Sequence, residues 1–182
     1  MTEQIAPGWD ETYGLAQQIA SVLRKREETV AVAEGSAGGL ISAALLAVPG
    51  ASAYYLGGTV VYTAQAHKAF IAGTTEIPDG MRGASEPFAK YLARAVALRT
   101  EATWGIGEAG AAGPPNRYGD PAGHVWLAIA GPHARGDDYT TYVTRHVLTG
   151  LDDRVANMAV FAAGALRLFL ETLETLEAAS KT

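Results

Sequence analysis

The segment Ala33-Glu34-Gly35-Ser36-Ala37-Gly38-Gly39 sets a carboxylate and a hydroxyl into a glycine-rich turn. It reads as strand, tight turn, then helix. A helix N-terminus offers free N–H groups and a positive dipole end, and these accept a phosphate or an oxyanion. At such an elbow Ser36 is a candidate nucleophile, and Glu34 a candidate general base or ligand of a ribose hydroxyl. Each also has a plainer role, Ser36 as N-cap of the following helix and Glu34 as an exposed strand end.

A second group follows in Tyr62-Thr63-Ala64-Gln65-Ala66-His67-Lys68. A histidine or a desolvated lysine can titrate near neutral pH, so Tyr62, His67 and Lys68 are candidate acid–base groups. The alternative is a helix surface with a snorkelling lysine. Residues one apart on a helix point about 100° apart, so only one of His67 and Lys68 can face a given cleft. With no cysteine in the chain, thiol nucleophiles and thiolate metal sites are excluded. His124, His133 and His146 have no metal-ligand spacing, and neither a metal nor a cofactor is implied. Gly105-Ile106-Gly107-Glu108-Ala109-Gly110 matches a dinucleotide fingerprint, but Pro114 and Pro115 leave no room for the helix that motif needs.

These groups need elements to hold them. Leu15, Ile19, Val22 and Leu23 repeat at helical spacing, which predicts an amphipathic helix over 11–25. Strands are expected over 29–34, 54–63 and 102–107, with helices over 40–48 and 64–72. Ser85-Glu86-Pro87 marks another helix start. A Gly/Pro-rich loop is expected over 108–123, then a hairpin of strands over 124–130 and 139–147 turning through Gly131-Pro132 and Gly136-Asp137-Asp138. A helix over 151–178 closes the chain, with Val155, Met158, Ala162, Leu166, Phe169, Leu173 and Leu176 as its core stripe. The alternation predicts an α/β fold, a three-layer α/β/α sandwich around a mixed sheet of about five strands. Ligands in such sheets bind beyond the C-terminal strand ends, so the loops at 34–39, 62–68 and 108–123 should converge on one pocket.

The 182 residues suit a single domain spanning 1–182 with its core at about 11–178. A formal net charge of -5 argues against a nucleic-acid partner. The apolar stretch 155–170 is interrupted by Asn157 and Arg167 and reads as too short and polar to span a bilayer. The polar, acidic start has no signal-peptide pattern. A cytoplasmic protein with no membrane partner is expected. Val160, Phe161, Leu168 and Leu170 fall off the core stripe, which points either to deep burial in the monomer or to a homo-oligomer interface.

Six stretches in order resemble the CinA C-terminal family: Ala33-Glu34 with Gly38-Gly39; Val48-Pro49-Gly50-Ala51-Ser52; Gly57-Gly58-Thr59-Val60-Val61-Tyr62-Thr63; Gly83-Ala84-Ser85-Glu86-Pro87; Gly110-Ala111-Ala112-Gly113-Pro114; and Pro121-Ala122-Gly123. The resemblance implies amide hydrolysis of a nicotinamide nucleotide, by a serine nucleophile assisted by a tyrosine and a lysine. It places Glu34, Gly35, Gly38, Gly39, Thr63, Ala109, Gly110, Gly113 and Arg154 around the ligand. The chain departs from the pattern at several points. Gly35 stands at the nucleophile position with Ser36 one residue later, and His67 stands at the lysine position with Lys68 one later. Ala109 replaces a hydroxyl residue.

Two functions fit. In the first, Ser36 attacks a nucleotide carboxamide, Lys68 or His67 takes its proton, Tyr62 assists, and the helix after Gly39 holds the oxyanion. Lys68 is the preferred base, because a gap of one before it restores the family register. In the second, a catalytically silent relative binds a nucleotide or a protein partner in the same cleft.

Overall fold

The first strand, β1 (Val30–Glu34), is buried along its whole length, as a continuous apolar run requires of a strand covered on both faces. The computed structural model describes residues 8–73, 81–132 and 142–179. Around β1 are α1 (Trp9–Arg26), α2 (Leu40–Ala47), β2 (Tyr55–Val60), α3 (Ala64–Phe70), α4 (Glu86–Thr100), β3 (Trp104–Ala111), β4 (His124–Ala130), β5 (Tyr142–Leu148) and α5 (Arg154–Ala179). The sheet order is β2-β1-β3-β4-β5. Both neighbours of β1 run parallel to it, while β3–β4 and β4–β5 are antiparallel. This is the expected mixed five-stranded α/β/α architecture.

Two apolar cores flank the sheet. On one face α1, α2 and α5 bury Ile19, Leu23, Ile41, Leu45, Phe161 and Phe169 against Val32, Trp104 and Ile106. Each such large side chain contributes about 1.5–3 kcal/mol by leaving water. On the other face α4 sets Ala89, Leu92, Ala93 and Val96 against Ala31, Ala33 and Ala128. Ser85 begins α4 as expected, its hydroxyl accepting from Phe88 N at 3.4 Å.

The boundary between strand and loop differs from expectation at β3, which runs on to Ala111 and takes up the start of the expected 108–123 loop. The glycine pattern misled there. A Cβ at Gly105 or Gly107 would strike the backbone carbonyls of Ala93 and Ala89, so these glycines let α4 lie close on the sheet. They serve packing rather than a phosphate loop. The hairpin forms from β4 and β5; Gly131-Pro132 follows β4 as expected, and Gly136-Asp137-Asp138 lies outside the described residues.

The closing helix starts later than expected because Asp153 caps it, its Oδ1 accepting from Ala156 N at 2.6 Å. Its core stripe needs correction. Val155 is 74% exposed in the first turn, beyond the sheet, and Leu176 is exposed near the other end. Phe161, Leu168 and Leu170 are buried instead, because α5 packs on α1 and α2 as well as on β3, β4 and β5. Burial on two sides within the monomer thus accounts for Phe161, Leu168 and Leu170, while Val160 is partly buried. By length and composition α5 could also cross a membrane, contrary to the sequence expectation, but most of its apolar window is buried in the core.

Candidate functional site

Glu34, Val60 and Ala111 end the three parallel strands on one side of the sheet. Beyond these ends lies a cleft of about 780 Å³, lined by Val61, Tyr62, Thr63, His67, Met81, Arg82, Phe88, Gly110, Asn116, Arg117 and Tyr118 among others. That volume is typical of a small-molecule site, which spans roughly 300–1,000 Å³. The loops at 62–68 and 108–123 meet here as expected. The 34–39 turn stands behind the wall, not in it. A Cβ at Gly110 would sit 2.8 Å from Ser36 Oγ, so Gly110 is the part of the wall nearest that hydroxyl.

Ser36 is 5% exposed and donates its hydroxyl to Oε1 of the fully buried Glu108. Oε2 of Glu108 accepts from Gly35 N at 2.9 Å and Ala37 N at 2.8 Å. One carboxylate therefore takes the Ser36 hydroxyl and the N–H groups of Gly35 and Ala37. Burial pushes the Glu108 carboxyl up to about 7, against the lowering effect of the Ser36, Ala37 and Gly35 hydrogen bonds. Sequence reasoning missed Glu108. The available signal was a charge inside an otherwise apolar strand.

Ser36 does not cap the following helix; Gly39 holds the N-cap position. Glu34 is not an exposed strand end either. It is buried, and its carboxylate accepts from Gly39 N (2.9 Å), Ile41 N (3.1 Å), Ser42 N (3.0 Å) and Ser42 Oγ (2.6 Å). A negative group there also suits the helix dipole. The α2 N-terminus expected to hold an oxyanion is occupied by Glu34. Gly38 (φ 68°) and Gly39 (φ 100°) make the turn, and a Cβ on Gly38 would stand 2.6 Å from Met158 Cε.

His67, not Lys68, faces the cleft. Its Nε2 lies 2.9 Å from Tyr91 Oη, and its ring packs near Phe88 and Tyr91. Lys68, the preferred base of the sequence reading, is exposed and does not line the cleft. Thr63 caps α3 through its hydroxyl, which accepts from Ala66 N at 3.2 Å. Tyr62 Oη receives a hydrogen bond from Arg154 at 3.0 Å, and the same guanidinium donates to the Gly113 carbonyl. Ala109 is buried in β3 and belongs to the core beneath α4. His124 and His146, far apart in sequence, meet across the β4–β5 ladder with Nδ1 and Nε2 2.9 Å apart.

Three parallel strands ending at one cleft, with a glycine turn closed by buried carboxylates behind it, define an α/β domain of the doubly wound kind, in which the C-terminal strand ends are the usual place for a site. The family model described as CinA C-terminal domain matches residues 12–173, and the chain belongs to that family. A CinA-like protein from Prochlorococcus marinus is 38% identical over 120 residues, covering 65% of this chain and 28% of that protein. A CinA-like protein from Anaeromyxobacter sp. is 35% identical over 158 residues, covering 86% and 37%. The chain thus spans about a third of these relatives' length. The crystal structure of a competence/damage inducible protein from Agrobacterium tumefaciens superposes with TM-score 0.77 at 26% identity, covering 94% of this chain and 99% of that one. A Klebsiella pneumoniae competence damage-inducible protein superposes with TM-score 0.78 at 25% identity, covering 90% and 97%.

Proposed function

We propose that the chain is a nucleotide-binding member of the family, a cytoplasmic protein that holds a pyridine nucleotide in the cleft without hydrolysing it by the serine route. The observation that carries this reading is Glu108. Its carboxylate engages Ser36 Oγ and the Gly35 and Ala37 N–H groups, so nucleophile and oxyanion donors face the protein interior. The family's nucleophile position is Gly35, without a side chain. Aromatic rings at Tyr62, Phe88 and Tyr118, with the guanidinium group of Arg117, suit a planar heterocycle carrying an anion.

A second reading, carboxamide hydrolysis, is favoured by the same pair in another role. A carboxyl pushed up to about 7 by burial is a suitable general base, and Ser36 already donates to it. Calorimetry with pyridine nucleotides, followed by an ammonia-release assay on every binder, decides between the two. Binding without ammonia supports the first reading. Ammonia release that Ser36→Ala abolishes establishes the second. No binding of any pyridine nucleotide refutes both.

A further inference from the structure

Arg117 is the cleft's uncompensated cation. Its guanidinium donates to Tyr118 Oη at 2.7 Å and lies 4.9 Å over the Tyr118 ring, but it has no carboxylate within ion-pair distance among the described residues. The other cleft arginine is neutralised, since Arg82 forms a two-point pair with Asp120. Among the described residues no carboxylate lines the cleft. In a chain of net charge -5, a depression whose described lining presents one guanidinium without a carboxylate partner and no acid draws an anionic ligand to that guanidinium.

The loop that carries Arg117 is already braced. Asn116 Oδ1 accepts from Tyr118 N (2.9 Å) and Asp120 N (3.1 Å), and its Nδ2 donates to Asp120 Oδ2 (2.9 Å). Asn116 N donates to the Asp120 carbonyl at 3.0 Å, and Gly119 N to the Asn116 carbonyl at 3.1 Å. Asp120 then anchors the loop to Arg82. The hydrogen bond to Tyr118 uses one edge of the Arg117 guanidinium and leaves further N–H groups for a two-point contact with a phosphate. Phe88, with His67 beside it at 6.2 Å between ring centroids, lines the same cleft as an apolar surface for a heterocycle.

We propose that Arg117, held on the Asn116–Asp120 loop, is the phosphate anchor of the cleft, taking the phosphate of a mononucleotide whose base lies against Phe88 and His67. This rests on the reading that the cleft binds a nucleotide and names the residue that selects the phosphorylated form.

The test is calorimetry on the parent protein and Arg117→Gln with four ligands: nicotinamide mononucleotide, nicotinamide riboside, adenosine monophosphate and adenosine. Glutamine keeps a hydrogen-bonding group beside Tyr118, and an unchanged melting temperature confirms that the loop is intact. The expected result is an affinity loss of about ten- to a hundredfold for the phosphorylated ligand, with its nucleoside unaffected. An equal loss for nucleotide and nucleoside, or no loss for either, overturns the proposal. If the parent binds the adenine nucleotide but not the pyridine one, with the same Arg117 dependence, the anchor stands and the pyridine reading fails. If the parent binds none of the four, the anchor is refuted along with the reading it rests on.

Discussion

The hydroxyl of Ser36 points into the protein, donating to Glu108, whose carboxylate also closes over the N–H groups on either side of that serine. The candidate nucleophile and a buried acid, 72 residues apart, thus form one structural unit behind the cleft. This arrangement ties three donors of the glycine-rich turn to one carboxyl group of the neighbouring strand.

Ser36→Ala should therefore act on stability. Removing one donor to a buried charged group destabilises by about 1–3 kcal/mol. A urea midpoint lowered to that extent, with nucleotide affinity within twofold of the parent, is the expected outcome. Unchanged stability would show that the Ser36–Glu108 bond contributes nothing to the turn.

Glu108 also makes stability depend on pH. Its folded pKa of about 7 lies above the ordinary 4.5, so the folded state holds this proton more tightly than the unfolded chain. The resulting stabilisation is complete below pH 4.5 and is lost as pH rises to about 7, a change of about 3 kcal/mol over that window. Glu108→Gln removes the titration. Its amide oxygen can accept from Gly35 and Ala37, while its amide nitrogen donates to Ser36 Oγ. Denaturation midpoints across the window should fall in the parent more than in the variant, and parallel profiles would assign the slope to other groups.

The close approach of α4 to β3 yields a sharper stability contrast. At Gly107 a new methyl meets the Ala89 carbonyl and, at 2.7 Å, Ala93 N; both are backbone atoms that cannot swing aside. Gly107→Ala should destabilise by about 3 kcal/mol or more, or prevent soluble folding. Gly14→Ala, in the middle of α1 with nothing within 4 Å, should instead stabilise by about 0.5–1 kcal/mol. Equal effects at the two sites would contradict the packing account.

The elements were readable because each carried a local signal: the apolar run of β1, the Ser85 cap, and the 3.6-residue period of α1. The site was only partly readable. Spacing correctly set the loops after β2 and β3 at one sheet edge, yet it could not show that Glu34 would fold back onto the α2 N-terminus. Nor could it show that Glu108 would reach the turn after β1, because that contact depends on the parallel β1–β3 register opposing Glu34 to Glu108. Glycine spacing carried opposite meanings at two places, a turn at Gly38-Gly39 and close helix packing at Gly105 and Gly107. Only the neighbouring element separates the two.

Gly35→Ser tests whether the cleft keeps the geometry for hydrolysis. A Cβ at Gly35 would lie 3.5 Å from both the Glu108 and the Val61 carbonyl oxygens, an ordinary contact distance. The backbone there is not left-handed, so serine brings no conformational strain. The variant should fold with stability within about 1 kcal/mol of the parent. Val61 lines the cleft, so a side chain at position 35 would stand against the backbone of a lining residue. His67 lines the cleft too, while Lys68 does not, so His67 is the base to remove alongside the Gly35→Ser change. The expected result is ammonia release from a pyridine nucleotide by Gly35→Ser, absent in the parent and lost again when His67→Ala is added. A folded Gly35→Ser variant that binds the nucleotide and releases no ammonia would show that the cleft does not bring the carboxamide to position 35.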